Sequence, residues 1–284
     1  ATINGRITAN GAPVTIGAGA GGSVNIRAQA IAGAGEISAD GGTVTSYGTA
    51  GGGRIALVTA GSGFGSLVYH AYGSKPSASY PNGSSAAGTV YLEKAGDRPG
   101  QGTLIIDNKN LATTPYVTTL QNGIAPSTYE FSTIILTNAG RYTLDTNDTL
   151  IATNTTFQGD PTDVNEGIEL AGGTLTVPAT MGFTNLFLRL KGTTSTFNPS
   201  TLLVIGTNAQ MIADKPFTLN GDLTIEPGGT MTHSPHISYL SYPAYFDTYK
   251  IDLTINGDFN LHSNTIIDLD YKGLTNAGTW FIGK

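Results

Sequence analysis

The sequence predicts an all-β fold, a parallel β-helix (β-solenoid) with irregular loops protruding from its coils. Three observations carry that prediction. First, short strand-like runs fill the chain, among them Ser23-Val24-Asn25-Ile26-Arg27, Arg54-Ile55-Ala56-Leu57-Val58, Thr89-Val90-Tyr91-Leu92-Glu93, Thr103-Leu104-Ile105-Ile106-Asp107, Thr133-Ile134-Ile135-Leu136-Thr137, Asp222-Leu223-Thr224-Ile225 and Thr265-Ile266-Ile267-Asp268-Leu269. Thr, Val, Ile and Tyr alternate with small polar residues, and Gly, Asn or Asp ends each run. Second, these phrases recur at about 20 to 30 residues, the length of one stacked coil. Third, Asn-Gly occurs six times, at Asn4, Asn10, Asn82, Asn122, Asn220 and Asn256, in several cases between two such runs.

Each element has a local reason. No window of ten or more residues places apolar side chains at i, i+3, i+4 and i+7, so any helix is short. Asn and Gly both tolerate positive φ, so an Asn-Gly pair turns the chain sharply, either as a hairpin or as the corner of a coil. The Gly-rich stretches 17–22, 33–35 and 51–53 favour the corner, because coils stacked about 4.8 Å apart leave no room for bulky residues there. A β-sandwich, with strands every 8 to 12 residues or so, is the alternative. The preferred organisation is a single β-solenoid over residues 1–284. Its possible subdivision separates Gly-rich regular coils, 1–112, from Thr/Asn-rich coils with longer loops, 113–284. Ser66–Ala87, Thr113–Thr128, Gln158–Gly167 and Thr232–Lys250 are the segments expected to leave the coils.

Composition narrows the function. The chain has 284 residues, with 39 Gly, 41 Thr, no Cys and only 12% charged side chains. The absence of Cys excludes disulfides, thiolate metal sites and a cysteine nucleophile. A hydrophobic share of 39% with a net charge of -6 argues against disorder. Fourteen Lys+Arg and a pI near 5.1 offer no basic footprint for nucleic acid. No run approaches the length of a membrane helix, so no membrane insertion is expected. Ala1 opens directly in a strand-like run without a signal peptide, as expected of a mature or excised chain.

The phrases Gly22-Ser23-Val24-Asn25-Ile26-Arg27-Ala28, Gly35-Glu36-Ile37-Ser38-Ala39-Asp40-Gly41-Gly42, Gly52-Gly53-Arg54-Ile55-Ala56-Leu57 and Ala87-Gly88-Thr89-Val90-Tyr91-Leu92 resemble the Gly-rich repeats of very large bacterial cell-surface proteins. They are distantly similar to filamentous-haemagglutinin and autotransporter passenger domains. The similarity covers about the first 110 residues, and the Asn-Gly-Asp phrases extend it loosely to the C-terminus. The resemblance implies a right-handed parallel β-helix, an extracellular or cell-surface location, a role as adhesin or structural scaffold, and flanking coils of a longer chain. It carries over no catalytic residue.

Few constellations carry chemistry. The P-loop, His-Glu-x-x-His and Gly-x-Ser-x-Gly motifs are absent. Tyr239, Tyr242, Tyr245, Phe246 and Tyr249 crowd one segment, and Tyr69, Tyr72 and Tyr80 another. Tyrosine offers an apolar face and a hydroxyl, which suits a polysaccharide or a host or cell-surface ligand, or else packing over a coil. Asp160, Asp163, Asn165 and Glu166 form an oxygen-rich loop, the candidate Ca²⁺ site, or else a solvated acidic loop. No other cofactor is indicated. His233 and His236 could share a metal with Asp247, or simply face solvent. Asp268 with Asp270, and Asp222 with Asp258, are the carboxylate pairs a polysaccharide lyase or glycoside hydrolase would need. Read as corner caps, they accept backbone N–H groups instead.

Overall fold

A computed structural model describes residues 1–75, 85–111, 117–120, 126–162, 165–192, 194–234 and 250–270. Every regular element among them is a strand. Among the described residues every strand pairing is parallel but one. The all-β, parallel expectation therefore holds, and no described helix is long and apolar enough to cross a membrane.

The pairing rule is simple. A strand pairs with the strand three further along the chain, except that Arg54–Thr59 pairs with Thr89–Glu93, two further along, and Thr89–Glu93 with the next strand, Thr103–Asp107. Arg6–Thr8 pairs with Glu36–Ser38, which pairs with Val68–His70. In the C-terminal part Arg141–Asp145, Gly167–Ala171, Phe187–Lys191, Gln210–Ala213, Thr230–Thr232 and Ile266–Asp268 follow one another in one seven-stranded sheet, which Thr118–Thr119 begins. Successive rungs keep register, so like residues stack: Tyr142, Ile168, Leu188, Met211 and Met231 form one buried column, with Ile267 at its end. Cross-strand bonds accordingly join residues from 20 to 36 apart in sequence.

Two of the Asn-Gly pairs are corners between sheets. Asn220-Gly221 joins Phe217–Leu219 to Asp222–Ile225, which lie in different sheets. Asn256-Gly257 repeats the corner on the next rung, and the Asn256 amide donates to the Asn220 side chain at 3.0 Å. Neither glycine has positive φ. Each is needed because the neighbouring rung is too close for a Cβ: one on Gly257 would lie 2.7 Å from the Gly221 carbonyl carbon. Left-handed backbone falls elsewhere: among the described non-glycine residues it occurs at Lys109, Asn110, Asn138, Ala139, Asn147, Asn185, Asn208 and Asn264.

Two of the segments expected to be loops contain strands. Val68–His70 continues the first sheet, and Thr118–Thr119 begins the longest one. Both are two or three residues long, too short for alternation to announce them.

Thr89–Glu93 and Thr103–Asp107 pair antiparallel, within a sheet that is otherwise parallel. Ile37, Ile55, Leu57, Val90 and Leu92 belong to one hydrophobic cluster. Leu104, Ile106, Ile134, Leu136, Tyr142 and Leu150 belong to another. At the far end, Leu253–Ile255, Phe259–Leu261 and Ile266–Asp268 each pair on one side only among the described residues.

Candidate functional site

The outward face of the seven-stranded sheet holds the densest charge. Glu169 and Arg189 are register partners on adjacent strands, so their side chains share a face. Arg189 Nε donates to Asp214 Oδ2 at 2.6 Å, and its Nη1 lies 3.7 Å from Glu169 Oε2. Ser234 completes Asp214: its N–H donates to Oδ1 at 2.6 Å and its hydroxyl to Oδ2 at 2.8 Å. The Asp214 and Glu169 side chains are only 3% and 6% exposed. One turn earlier, Arg141 lies over the Phe187 ring, 5.3 Å from its centroid, and donates from Nε to the Asn165 carbonyl at 3.0 Å. Burial holds the Arg141 guanidinium below its ordinary range, with Glu169 opposing. Glu166 is buried and accepts the Asp160 N–H at 2.6 Å.

A second cluster sits outside the first sheet. His70 Nδ1 is 2.8 Å from Asp40 Oδ1 and its Nε2 is 3.5 Å from Glu36 Oε1, which also accepts from Arg6 at 3.0 Å. Asp40 Oδ1 takes the Tyr72 N–H at 2.8 Å as well. The Tyr72 ring stacks on His70, centroids 4.6 Å apart and 6° between planes. Lys109 Nζ lies 5.3 Å from the Tyr72 centroid. The hydrogen bond to Asp40 raises the His70 pKa; burial opposes it, and the charges of Asp40 and Glu36 add to it.

Lys215 is the third charged group of note. Its ammonium donates to the Ser195 carbonyl at 2.6 Å, and burial lowers its pKa. It lines a cleft of about 180 Å³ with Phe197 and Phe217, whose rings are 6.0 Å apart. The cleft lies where Thr196–Phe197 and Phe217–Leu219, each the end of its own sheet, face each other without pairing.

The residues singled out in the sequence are distributed as follows. Tyr69 is the register partner of Ile37 and packs against the N-terminal core, and burial raises its pKa. Tyr72 stacks on His70 instead, so the two tyrosines do not make one surface. Tyr80 lies outside the described residues, as do Tyr239, Tyr242, Tyr245, Phe246 and Tyr249. Asp160 Oδ1 closes a tight turn by accepting the Thr162 N–H and hydroxyl at 2.9 and 2.6 Å. Those bonds lower its pKa. Glu166 turns inward, Asn165 offers its carbonyl to Arg141, and Asp163 is outside the described residues. Among the described residues no three His, Asp or Glu side chains converge as a metal set. His233 is buried with Nδ1 2.8 Å from the Ser234 carbonyl; His236 and Asp247 are outside the described residues. Asp222 Oδ1 accepts the Asp258 N–H at 2.8 Å, and Asp268 Oδ1 the Asp270 N–H at 3.0 Å.

The sequence reading missed both charge clusters. One signal was present: Arg6 and Glu36, and Asp40 and His70, are each 30 residues apart, the interval of one turn. Comparison of the chain with protein-family models, curated proteins and solved structures returned no match.

Proposed function

We propose that the chain is a non-catalytic segment of an extracellular surface protein, a right-handed β-solenoid that serves as adhesin or structural scaffold. In this reading the ligand, a polysaccharide or a cell-surface molecule, is bound through Tyr239, Tyr242, Tyr245, Phe246 and Tyr249, which lie outside the described residues. The whole of 1–284 forms one such body in this reading, with the change of buried face between Leu92 and Leu104 as its internal joint. The observation that carries the reading is how the charged groups are used. Asp214 has both oxygens occupied by Arg189 and Ser234, and Asp222 and Asp268 cap backbone N–H groups. Asp214 and Asp222 tie one rung to the next and Asp268 closes a local turn; carboxylates used in this way serve the stack and do not face a substrate.

A binding screen against soluble and insoluble polysaccharides tests this, with release of reducing ends assayed in the same tubes. Binding without release supports the scaffold. Tyr242→Ala with Tyr245→Ala should then weaken binding tenfold or more, since two lost ring contacts of about 1 kcal/mol each correspond to about thirtyfold. Release of reducing ends overturns it.

A second reading has its own observation. Glu166, Glu169, Asp214, Arg141 and Arg189 gather on one sheet, the mixture of acids and cations that a lyase or glycoside hydrolase assembles. In that reading Glu169→Gln abolishes glycan cleavage while the melting temperature changes little.

A further inference from the structure

Thr196–Phe197 and Phe217–Leu219 are three strands apart, yet they do not pair. The strands on either side of them do pair across the same two rungs: Phe187–Lys191 with Gln210–Ala213, and Leu202–Ile205 with Asp222–Ile225. The gap is therefore local to one face of the stack. Its cause lies in the backbone. On the preceding rung the Gly173 carbonyl accepts the Thr196 N–H at 3.0 Å. The register that opposes Thr174 to Thr196 puts Ser195 in the place of Gly173 one rung on. In a continued ladder the Ser195 carbonyl would take the N–H of residue 216. That residue is Pro216, which has none. Lys215 supplies the donor instead, its ammonium reaching the Ser195 carbonyl at 2.6 Å. The two strands stay apart, and the cleft of about 180 Å³ lies between them.

The polar groups of this cleft are mostly donors. Main-chain groups of successive residues in a parallel sheet point alternately to the two neighbouring strands. The Thr196 N–H goes to Gly173, and the Phe217 N–H goes to the Asp252 carbonyl at 2.8 Å, both away from the cleft. The N–H groups of Phe197 and Thr218 are accordingly directed into it, and among the described residues no backbone bond joins the two strands. An ammonium has three protons to donate, and Lys215 gives one to Ser195. Among the described residues no carboxylate pairs with it; burial lowers its pKa with no neighbouring charge opposing. Below these donors the floor is apolar, made by the buried Leu190, Phe197 and Phe217. The rim carries the exposed Thr196, Asn198 and Thr218.

We propose that this cleft binds a carboxylate-bearing sugar unit, with the carboxylate on the Lys215 ammonium and the Phe197 and Thr218 N–H groups. A half-buried cation without a counter-ion gains most from an anion that brings its own acceptors. The Ser195 carbonyl beside that cation matches it to one negative charge and disfavours the second charge of a phosphate. An apolar floor under a rim of hydroxyl and amide groups suits a ring with carbon–hydrogen faces and hydroxyl edges. The site is separate from the tyrosine-rich segment and does not depend on it.

Titration of the full chain with D-glucuronate tests this by calorimetry, with D-glucose and inorganic phosphate alongside. Glucuronate should bind saturably at one site, and glucose and phosphate about tenfold or more weakly. Lys215→Met should weaken glucuronate binding about tenfold or more, the worth of a charge-assisted hydrogen bond, while Lys215→Arg keeps most of it. Pro216→Ala returns the missing N–H to the ladder, so the strands should close: the melting temperature holds or rises while glucuronate binding is lost. That variant reads the cleft even where Lys215→Met fails to fold. Tyr242→Ala with Tyr245→Ala should leave glucuronate binding unchanged. Absence of saturable glucuronate binding overturns the proposal, as does unchanged binding in Lys215→Met or in Pro216→Ala. Loss of binding in the tyrosine variant overturns it and moves the site to that segment. Phosphate or glucose bound as tightly as glucuronate overturns the assignment of a sugar carboxylate.

Discussion

Tyr91 and Leu104 face each other across the antiparallel pair of strands and turn their side chains to the same side, into the C-terminal core. Their neighbours Val90 and Ile105 are paired in the same way and turn to the opposite side, into the N-terminal core. Directly opposed residues share a face, so this one pair of strands is where the buried side changes over.

The Tyr91 hydroxyl fastens that change. It donates to Glu93 Oε2 at 2.6 Å and accepts the Gly102 N–H at 2.9 Å, and its ring lies 6.1 Å from Phe131. Burial first, then the bond to Glu93, pushes its pKa up to about 12. Tyr91→Phe keeps the ring and loses both bonds. Urea titration should show a loss of about 2 kcal/mol, the range for a hydrogen bond to a charged group.

Asp214→Ala leaves the Arg189 guanidinium without its closest partner and the Ser234 N–H and hydroxyl without their acceptor. Removing one member of a largely buried ion pair costs about 3 kcal/mol or more. The double variant Arg189→Met, Asp214→Leu should recover much of that loss in the same denaturation experiment. A double variant as unstable as the single one would show that the charges themselves hold the rungs together.

The raised pKa of His70 sets a pH dependence. The groups facing it are Asp40, Glu36, Arg6, Tyr72 and, above Tyr72, Lys109. Because the folded state favours the imidazolium, its contribution is fully present below the ordinary value of 6.5 and is lost as pH rises through the raised folded value. The melting temperature should fall across that window. His70→Gln should flatten the fall without shifting the acid limb.

Two backbone substitutions should act in opposite directions. Ala139 has φ 63°, where an L side chain is strained, so Ala139→Gly should stabilise by up to about 1 kcal/mol. Gly221 has ordinary φ but touches the Thr201 backbone, so Gly221→Ala should cost about 1 to 3 kcal/mol. Thermal melts of the two variants against the wild type check both signs.

Much of the fold is legible from residues. Period-2 alternation locates Arg54–Thr59, Thr103–Asp107 and Thr133–Thr137, and Asn220-Gly221 marks a corner. The reason glycine is needed there is not legible, because it is the nearness of the rung beside it. Strand polarity escapes too. The apolar triplet Leu104-Ile105-Ile106 reads like Leu202-Leu203-Val204, yet only the former has a core on each side. The Asp40–His70 and Arg189–Asp214 contacts become visible only once the turn length is known, since their members lie 30 and 25 residues apart.

The antiparallel pair bears on chirality in the coiled reading proposed above. Reversing strand direction alone would turn a right-handed screw into a left-handed one. Moving the interior to the opposite face of the sheet alone would do the same. Between Leu92 and Leu104 strand direction and buried side both change, while the sheet goes on adding strands in the same direction. In that reading the two inversions cancel, and the shared sheet is a wall between two screws of equal hand.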